Sequence, residues 1–186
     1  SPGPFEARFV NHLDVDVRLG VPATARGAIA VGAFSTRDAW ESLTGPMSMP
    51  NLLGAPAPFS ATGPTRDGRP RPDVLAPGVL VASTMSRYAD PRVNDSSVYA
   101  ATVARGADPV LADGVHAVAS GTSMAAPFVT GTAALLLERD PTLTSEDVAG
   151  ILRATAGGDP AWDPRRGFGH LDIGHAGQIE RQPAPA

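Results

Sequence analysis

The alternation of apolar and polar residues along the chain predicts several strands. Residues 5–10 and 12–18 alternate with a period of two, as in strands that expose one face to solvent. Residues 28–33 are apolar on both faces, which is typical of a strand in a parallel sheet that is covered on both sides. Further short strands are predicted at residues 74–76, 79–82, 98–103, 115–120 and 167–173.

The longest predicted helix is a nearly uninterrupted apolar stretch from Ser123 to about Arg139. Its apolar residues surround the helix axis, so we expect this helix to be buried on all sides. Pro127 is tolerated only in a first helical turn, because proline lacks the N–H that later turns require. The proline therefore places the start of the helix close to Ser123.

A second helix and two loops are predicted from local signals. Asp147 follows Thr144 by three residues, a capping-box pattern that predicts an amphipathic helix ending before Gly157. Residues 41–58 and most of 59–78 are rich in proline and glycine and show little periodicity. These two stretches are therefore expected to be mainly loop.

Composition excludes several classes of protein. The 186 residues contain no cysteine, and all 15 basic residues are arginine, against 19 acidic residues and a net charge of −4. The length suits one α/β domain. The missing lysine excludes P-loop and Schiff-base chemistry, and the missing cysteine excludes disulfides, thiol proteases and thiolate zinc sites. We expect no cofactor, no nucleic-acid partner and no membrane partner, because the charge is weakly acidic and the apolar runs are short.

The candidate chemistry lies in residues 121–127, GTSMAAP, at a strand-to-helix junction. A serine in the first helical turn has an accessible hydroxyl, and its own backbone N–H has no partner within the helix. The positive end of the helix dipole stabilises an oxyanion that forms beside it. The alternative is that Thr122 or Ser123 merely caps the helix, as most such residues do.

This heptapeptide resembles the nucleophile motif of the subtilisin-like serine proteases, the subtilases or peptidase family S8. Residues 21–33, 59–78, 143–156 and 167–172 are similar to further parts of the same family, in the same order. The resemblance implies an α/β, doubly wound parallel-sheet fold of which the chain holds a part. Residues 21–175 would be the C-terminal portion of the peptidase domain, residues 1–20 a strand-like segment or insertion, and residues 176–186 a loose tail.

The resemblance also implies a reaction, a substrate and a location. Ser123 would be the nucleophile of a serine endopeptidase, the last member of an Asp, His and Ser triad. Phe59 and Thr122 would lie near a bound polypeptide substrate. No cluster of metal ligands is visible. Because family members are often secreted, we expect an extracellular or otherwise exported protein, although no N-terminal segment has a signal-peptide pattern.

The chain departs from the family where the other catalytic residues should be. Nothing before Ser123 fits the family's Asp and His motifs, and Asn11 lacks the context of the oxyanion-hole asparagine. The upstream candidates are His12, His116, Asp14, Asp16, Asp38, Asp73 and Asp113, and we interpret His116 as an ordinary strand residue. The pairs His12–Asp14 and His170–Asp172 hold too few ligands for a metal site.

Two functional hypotheses follow. In the first, the full-length protein is a serine endopeptidase, this chain alone is inactive, and the missing N-terminal half is supplied in cis or in trans. In the second, the chain is a non-catalytic binding module on a degenerate subtilase scaffold. A parallel sheet that is cut in half exposes an apolar strand edge, so we also predict self-association.

Overall fold

The computed structural model describes residues 17–94, 98–158 and 161–178. Within them lie six strands and four helices. The strands are β1 Val31–Ser35, β2 Ala39–Ser42, β3 Gly45–Ser48, β4 Val74–Val79, β5 Val81–Thr84 and β6 His116–Ala119. The helices are α1 Ala100–Val103, α2 Thr122–Arg139, α3 Ser145–Thr155 and α4 Ile173–Ala176.

The centre of the fold is a parallel pair of strands, β1 and β4, with Val31 opposite Val74. Nearly every residue of β4 is buried, and α2 packs against both strands. On its other edge, Leu75 of β4 accepts a hydrogen bond from the N–H of Leu171 at 2.7 Å and donates to the carbonyl of Gly169 at 2.8 Å. The buried apolar layer formed by β1 and β4 therefore supports the start of α2.

Most of the predicted strands are observed with shifted ends. The strands predicted at 28–33, 74–76, 79–82 and 115–120 correspond to β1, β4, β5 and β6. The strand predicted at 167–173 is wrong, since only isolated bridges form there before α4 begins, between His170 and both Leu75 and Gly157 and between Gly167 and Asp163. The strand predicted at 5–10 and most of that at 12–18 lie outside the described residues.

Residues 39–48 form an antiparallel hairpin, β2–β3, so the prediction of loop across 41–58 is wrong in its first part. Trp40 is buried, and its indole N–H donates to the carbonyl of Asp108 at 2.8 Å. Gly45 has a φ of 115° at the turn, where the hydroxyl of Ser42 donates to its carbonyl at 2.7 Å. An alternation of only four residues beside prolines is too short to predict from sequence.

A single helical turn, α1, replaces the strand predicted at 98–103. The N–H groups of Thr102 and Val103 both donate to the carbonyl of Tyr99, at 2.9 and 3.2 Å. In so short a stretch the spacing of apolar residues does not distinguish a helix from a strand. The correction matters because this turn forms one wall of the site described below.

The predicted burial of α2 on all sides is also wrong within the described structure. One face is buried, with Ala125, Val129, Thr132 and Leu136 turned towards β1 and β4. Phe128 and Leu135, seven residues apart on another face, are 36% and 58% exposed. The described part of the sheet covers only one side of the helix, so an apolar sequence does not here mean complete burial.

The predicted capping box of α3 is confirmed. The hydroxyl of Thr144 accepts a hydrogen bond from the N–H of Asp147 at 3.2 Å, and the Asp147 carboxylate accepts one from the N–H of Thr144 at 2.9 Å. At the end of the described chain, Ala176 is fully buried in α4, so the expected loose tail cannot begin at this residue. Residues 179–186 lie outside the described residues.

A buried carboxylate joins three elements of the fold. Asp73 precedes β4 and its side chain is completely buried. One of its oxygens accepts a hydrogen bond from the N–H of Ala30 at 2.6 Å, before β1. The other oxygen accepts from the Nε–H of Arg153 in α3 at 2.7 Å and from the guanidinium of Arg71. This upstream Asp is therefore occupied as a structural ion-pair centre.

His170 gives the fold a predicted dependence on pH. Its ring stacks on Phe34 with the centroids 4.1 Å apart, and burial lowers the pKa of His170 below its ordinary value of 6.5. The unfolded chain therefore binds this proton more tightly, so the stabilisation is complete above pH 6.5 and is lost as the pH falls through the folded pKa. We expect the urea concentration at the midpoint of unfolding to be lower at about pH 5.5 than at about pH 7.5. His170→Phe, which keeps a ring against Phe34, should lose that part of the pH dependence; an unchanged slope in this variant would contradict the assignment.

Candidate active site

Ser123 lies where β6 passes into α2, as the second residue of the helix, and it is exposed. The residue before the helix is Gly121, which has no side chain to cap the first turn. The N–H groups of a first helical turn have no partners within the helix, and together with the dipole they favour a negative charge at this end. The hydroxyl of Ser123 and its own N–H thus lie beside a position that favours an oxyanion.

Backbone contacts hold this junction against the end of β4. The N–H of Gly121 donates to the carbonyl of Gly78 at 2.8 Å. A Cβ on Gly78 would lie 2.5 Å from the Cβ of Ala33 and 3.0 Å from the carbonyl oxygen of Gly121. Glycine at position 78 is therefore what allows β1, β4 and the start of α2 to meet.

A second contact involves strained backbone. Leu80 is buried and has a φ of 51°, a conformation that is costly for a residue with a branched side chain. Its N–H donates to the hydroxyl of Ser120 at 2.9 Å. This hydrogen bond ties the turn between β4 and β5 to the residue that precedes the Gly121 cap. Such strain is stored preferentially at functional sites.

Pro127 lies one turn further into the helix than expected. It is the sixth residue of α2, so the prediction that it falls in the first turn is wrong, although the predicted start near Ser123 is confirmed by the observed start at Thr122. Because proline has no N–H, it cannot donate the helical hydrogen bond to the carbonyl of Ser123, four residues earlier. The backbone around Ser123 therefore has one helical hydrogen bond fewer, and the contacts of Gly121 contribute more to fixing its position.

A cavity of about 570 Å³ opens beside Ser123, within the size range of ligand sites. Phe59 lines it and is half exposed, and Met124 and Leu80 contribute apolar surface. The structure thus brings two of the three predicted site residues, Ser123 and Phe59, to one cavity. Thr122 is the partly buried first residue of α2 and is not among the described residues that line it.

The Asp and His candidates are not brought to Ser123. His116 is the first residue of β6, in agreement with its interpretation as a strand residue, and its Nδ1 lies 2.7 Å from the Asp113 carboxylate. The N–H groups of Val115 and His116 and the His116 ring lower the pKa of Asp113. Both side chains are solvent-exposed, and neither lines the cavity among its described residues.

The remaining candidates also lie away from Ser123: Asp38 is exposed between β1 and β2 and is not among the described residues that line the cavity. Asp73 is buried between two arginines, and Asp172 accepts a hydrogen bond from the N–H of His175 at the start of α4. His12, Asp14, Asp16 and Asn11 lie outside the described residues. Among the described residues that line the cavity there is no histidine and no carboxylate. Within the described residues, the exposed Ser123 at the start of α2 therefore has no candidate general base beside it in the cavity.

The described residues include no group of three or more His, Cys, Asp or Glu side chains placed to hold a metal ion. Within residues 17–94, 98–158 and 161–178, no helix has the length and apolar character needed to cross a bilayer.

Sequence reasoning missed the residues that complete the cavity. They come from the chain after β3 and from the α1 turn, and are Met49, Asn51, Tyr99, Thr102 and Arg105. These stretches were read as loop or as strand, and residue spacing gives no signal that they meet Ser123. The positive φ of Leu80 was equally invisible, because the apolar run around it predicts ordinary extended strand.

Comparison with known proteins identifies the family. A model of the subtilase family matches residues 13–169. Serine protease AprX of Bacillus subtilis (strain 168) is 37% identical over 99 residues, and these cover 52% of this chain and 19% of AprX. Mycosin-4 of Mycobacterium tuberculosis (strain ATCC 25618 / H37Rv) is 36% identical over 145 residues, covering 73% of this chain and 27% of that protein. The chain thus spans less than a third of either relative.

Solved structures agree with the sequence matches. The CspB protease of Clostridium perfringens superposes with a TM-score of 0.57 and 28% sequence identity, over 86% of this chain and 27% of that one. The predicted α/β subtilisin-like fold, present as part of a domain, is thereby confirmed. Since the family model spans the greater part of the sequence and includes both the GTSMAAP junction and Phe59, the chain belongs to the subtilase family of serine proteases.

Proposed function

We propose that this chain supplies a serine endopeptidase with its nucleophile and with the part of the substrate site that lies beside the nucleophile. The observation that carries the proposal is the position of Ser123, exposed in the first turn of α2 and lining a cavity of about 570 Å³. Family membership supports the same reaction in general. A serine that served only as a helix cap would precede the helix, whereas here Gly121 holds that position.

The proposed reaction has two steps. The Ser123 hydroxyl attacks the scissile carbonyl, and the tetrahedral oxyanion accepts a hydrogen bond from the Ser123 N–H beside the positive end of α2. Collapse of this intermediate breaks the C–N bond, and the amine leaves with the proton that the Ser123 hydroxyl gave up, so that an acyl ester remains on Ser123. Water then hydrolyses the ester, which regenerates the hydroxyl.

The proton of the Ser123 hydroxyl needs a base that the described residues do not place beside it. We propose that a histidine oriented by a carboxylate comes from the N-terminal portion of the same peptidase domain, in cis or in trans. The chain spans only 19% of AprX and 27% of Mycosin-4, so most of these relatives lies outside the matched region. The residues proposed for substrate contact, Phe59 and Thr122, would complete the site from this side.

The surface of α2 supports the same completion. Phe128 and Leu135 follow one face of the helix and are 36% and 58% exposed, although helices of this composition are normally buried. Exposed apolar faces of this kind mark surfaces that another segment covers. We propose that the N-terminal portion covers this face. A second copy of the chain, bound through this face or through the strand edge, is the competing occupant, and self-association stays a prediction. Export from the cell also stays a prediction.

The test compares this chain alone with the complete polypeptide that contains it, using casein and a fluorogenic peptide. We expect no turnover by the chain alone, because loss of the base removes nearly all triad-dependent rate, and turnover by the complete polypeptide. The chain mixed with a separately produced N-terminal portion is the control for completion in trans. An inactive complete polypeptide without upstream Asp and His motifs would favour the non-catalytic binding module. Turnover by the chain alone would also contradict the proposal.

A further inference from the structure

Three arginine-bearing segments of the chain lie against one another, two of them ahead of β1 and β4. Arg69 joins these two, because its guanidinium donates a hydrogen bond to the carbonyl of Thr24 at 2.7 Å. The third segment joins through the backbone, since the N–H of Gly63 donates to the carbonyl of Pro164 at 2.9 Å. The arginines of the three segments form what we term the arginine surface: Arg26, Arg66, Arg69, Arg165 and Arg166.

Most of the positive charge on the arginine surface is exposed to solvent. Arg69 pairs with the Asp67 carboxylate at 2.9 Å, but the other four arginines are exposed and form no ion pair with a carboxylate in the described part of the chain. The other acidic group of these segments, Asp163, accepts the backbone N–H groups of Arg165 and Arg166, both at 2.8 Å. These bonds fix the turn that carries both side chains. The whole chain has a net charge of −4, so this is a basic region on a weakly acidic protein.

A cavity of about 620 Å³ opens at the edge of the arginine surface, in the chain that follows α3. Trp162 and Arg166 line it, and the indole N–H of Trp162 donates to the carbonyl of Pro72 at 3.3 Å. The same indole packs close to Gly63, where a Cβ would lie 3.3 Å from the ring. None of the described residues that line this cavity also lines the cavity beside Ser123, so the two are distinct.

The charge of Arg166 acts inside this second cavity. His170 also lines it, and although burial is the main cause of the lowered pKa of His170, the positive charge of Arg166 lowers that pKa further. An arginine stays protonated across the whole physiological pH range. Asp163 lines the cavity as well, so a carboxylate is favoured at the arginine rim, whereas the indole of Trp162 offers an apolar surface within.

We propose that the arginine surface and the cavity at Trp162 together bind a short acidic polypeptide segment that carries an apolar residue among its carboxylates. Guanidinium groups hold carboxylates through two parallel hydrogen bonds, which is why arginine is favoured for ion pairs at interfaces. The apolar side chain enters the cavity and packs on the indole, while the carboxylates pair with the exposed arginines. This site is separate from Ser123, and its existence does not depend on the proposed function.

Length distinguishes this partner from other polyanions. A nucleic acid or an anionic membrane extends beyond the arginine surface and meets the rest of the chain, which is acidic enough to give the whole a net charge of −4. Like charges then oppose the contact. A short acidic segment places its carboxylates on the arginines alone, so the charge distribution favours a polypeptide partner.

The test measures binding by the complete polypeptide with Ser123→Ala, so that peptides are bound without being cut. The probe is a fluorescein-labelled peptide that has glutamates on both sides of one phenylalanine, and the readout is fluorescence anisotropy. We expect binding to weaken by roughly tenfold or more when the glutamates are replaced by glutamine, and by roughly tenfold when the phenylalanine is replaced by glycine. Added salt should weaken the glutamate peptide far more than the glutamine peptide.

Substitutions at exposed positions separate charge from structure. Arg166→Glu should weaken binding of the glutamate peptide by roughly tenfold or more, whereas Arg166→Lys should retain most of it. Arg37→Glu is the matched control, because Arg37 is exposed, belongs to none of the three segments and is not among the described residues that line the cavity. Ala161→Trp, which fills the cavity, should remove the advantage of phenylalanine over glycine. Equal binding by the Arg166→Glu and Arg37→Glu proteins, or by the glutamate and glutamine peptides, would overturn the inference.

Other polyanions serve as competitors in the same assay. We expect that neither a single-stranded oligonucleotide nor vesicles of an anionic phospholipid displace the glutamate peptide at matched charge. Displacement that Arg166→Glu abolishes would assign the surface to phosphate groups and contradict the inference. Because binding is read from the Ser123→Ala protein, the proposed function fails separately: an unmodified polypeptide that hydrolyses no peptide leaves this site standing, and an active peptidase that does not bind the glutamate peptide refutes this site alone.

Discussion

Replacing Ser123 by alanine is expected to lower kcat/KM of the complete peptidase for a peptide substrate by on the order of 10⁶-fold. The attacking oxygen disappears, so no acyl ester can form, and what remains is the rate that oxyanion stabilisation and binding alone provide. The side chain is exposed, so the substitution leaves no buried cavity and should preserve folding. Steady-state assays with a fluorogenic peptide measure the loss, and thermal unfolding checks the fold.

Ser120 offers a matched control for this experiment. It lies three residues before Ser123 and lines the same cavity, but its hydroxyl accepts a hydrogen bond from the N–H of Leu80 at 2.9 Å. Ser120→Ala should therefore lower stability by about 1 kcal/mol, with a far smaller effect on kcat than Ser123→Ala. Equal activity of the Ser123→Ala and unmodified proteins, or a greater loss with Ser120→Ala, would show that the nucleophile is assigned to the wrong residue.

Replacing Asp73 by alanine is expected to cost about 3–5 kcal/mol of unfolding free energy. Its carboxylate is completely buried and accepts hydrogen bonds from Arg71 and Arg153, so its removal takes the counterion from buried Arg71, while Arg153 keeps its ion pair with Glu146. Arg71 is only 4% exposed and cannot recover the lost interaction by turning to water. The N–H of Ala30 would lose its acceptor as well, which loosens the entry to β1.

Urea unfolding, followed by circular dichroism, measures this loss. Asp113→Ala is the control, because the Asp113 carboxylate also contacts a side chain, the His116 ring, but is exposed, and surface pairs contribute about 0–1 kcal/mol. Since both variants lose one carboxylate, the difference between them reports burial rather than charge number. An Asp73→Ala protein that unfolds at the same urea concentration as Asp113→Ala would refute the role of the buried cluster.

What the sequence predicted well depends on short-range physics. The start of α2 lies near Ser123 as predicted, although Pro127 falls beyond the first turn, and the capping box of Thr144 and Asp147 is complete within four residues. The exposed position of Ser123 in the first turn of α2 likewise follows from a contiguous motif, and its role as nucleophile stays a prediction. Local signals of this kind keep their meaning wherever the chain is placed in the fold.

What the sequence did not predict depends on distant partners. Trp40 becomes a buried strand residue only because the carbonyl of Asp108, far along the chain, accepts its N–H. The cavity wall at Tyr99 and Arg105 depends on the α1 turn meeting the junction, which no periodicity reveals. In the sequence Asp73 is one of the upstream candidates for the catalytic carboxylate, and only its contact with Arg153, eighty residues later, shows it to be structural.

The one-sided burial of α2 has a thermodynamic consequence. In the proposed assembly, the segment that covers Phe128 and Leu135 also delivers the general base, so the helix becomes fully packed in the same event that makes Ser123 reactive. Covering this face stabilises the folded chain by mass action, by about 1.4 kcal/mol for every tenfold rise in the covering segment above its dissociation constant. A covalent connection would hold that segment at millimolar effective concentration. If the connection were cut, the two parts would dissociate on dilution, and both the activity and the melting temperature would then decrease as the protein is diluted.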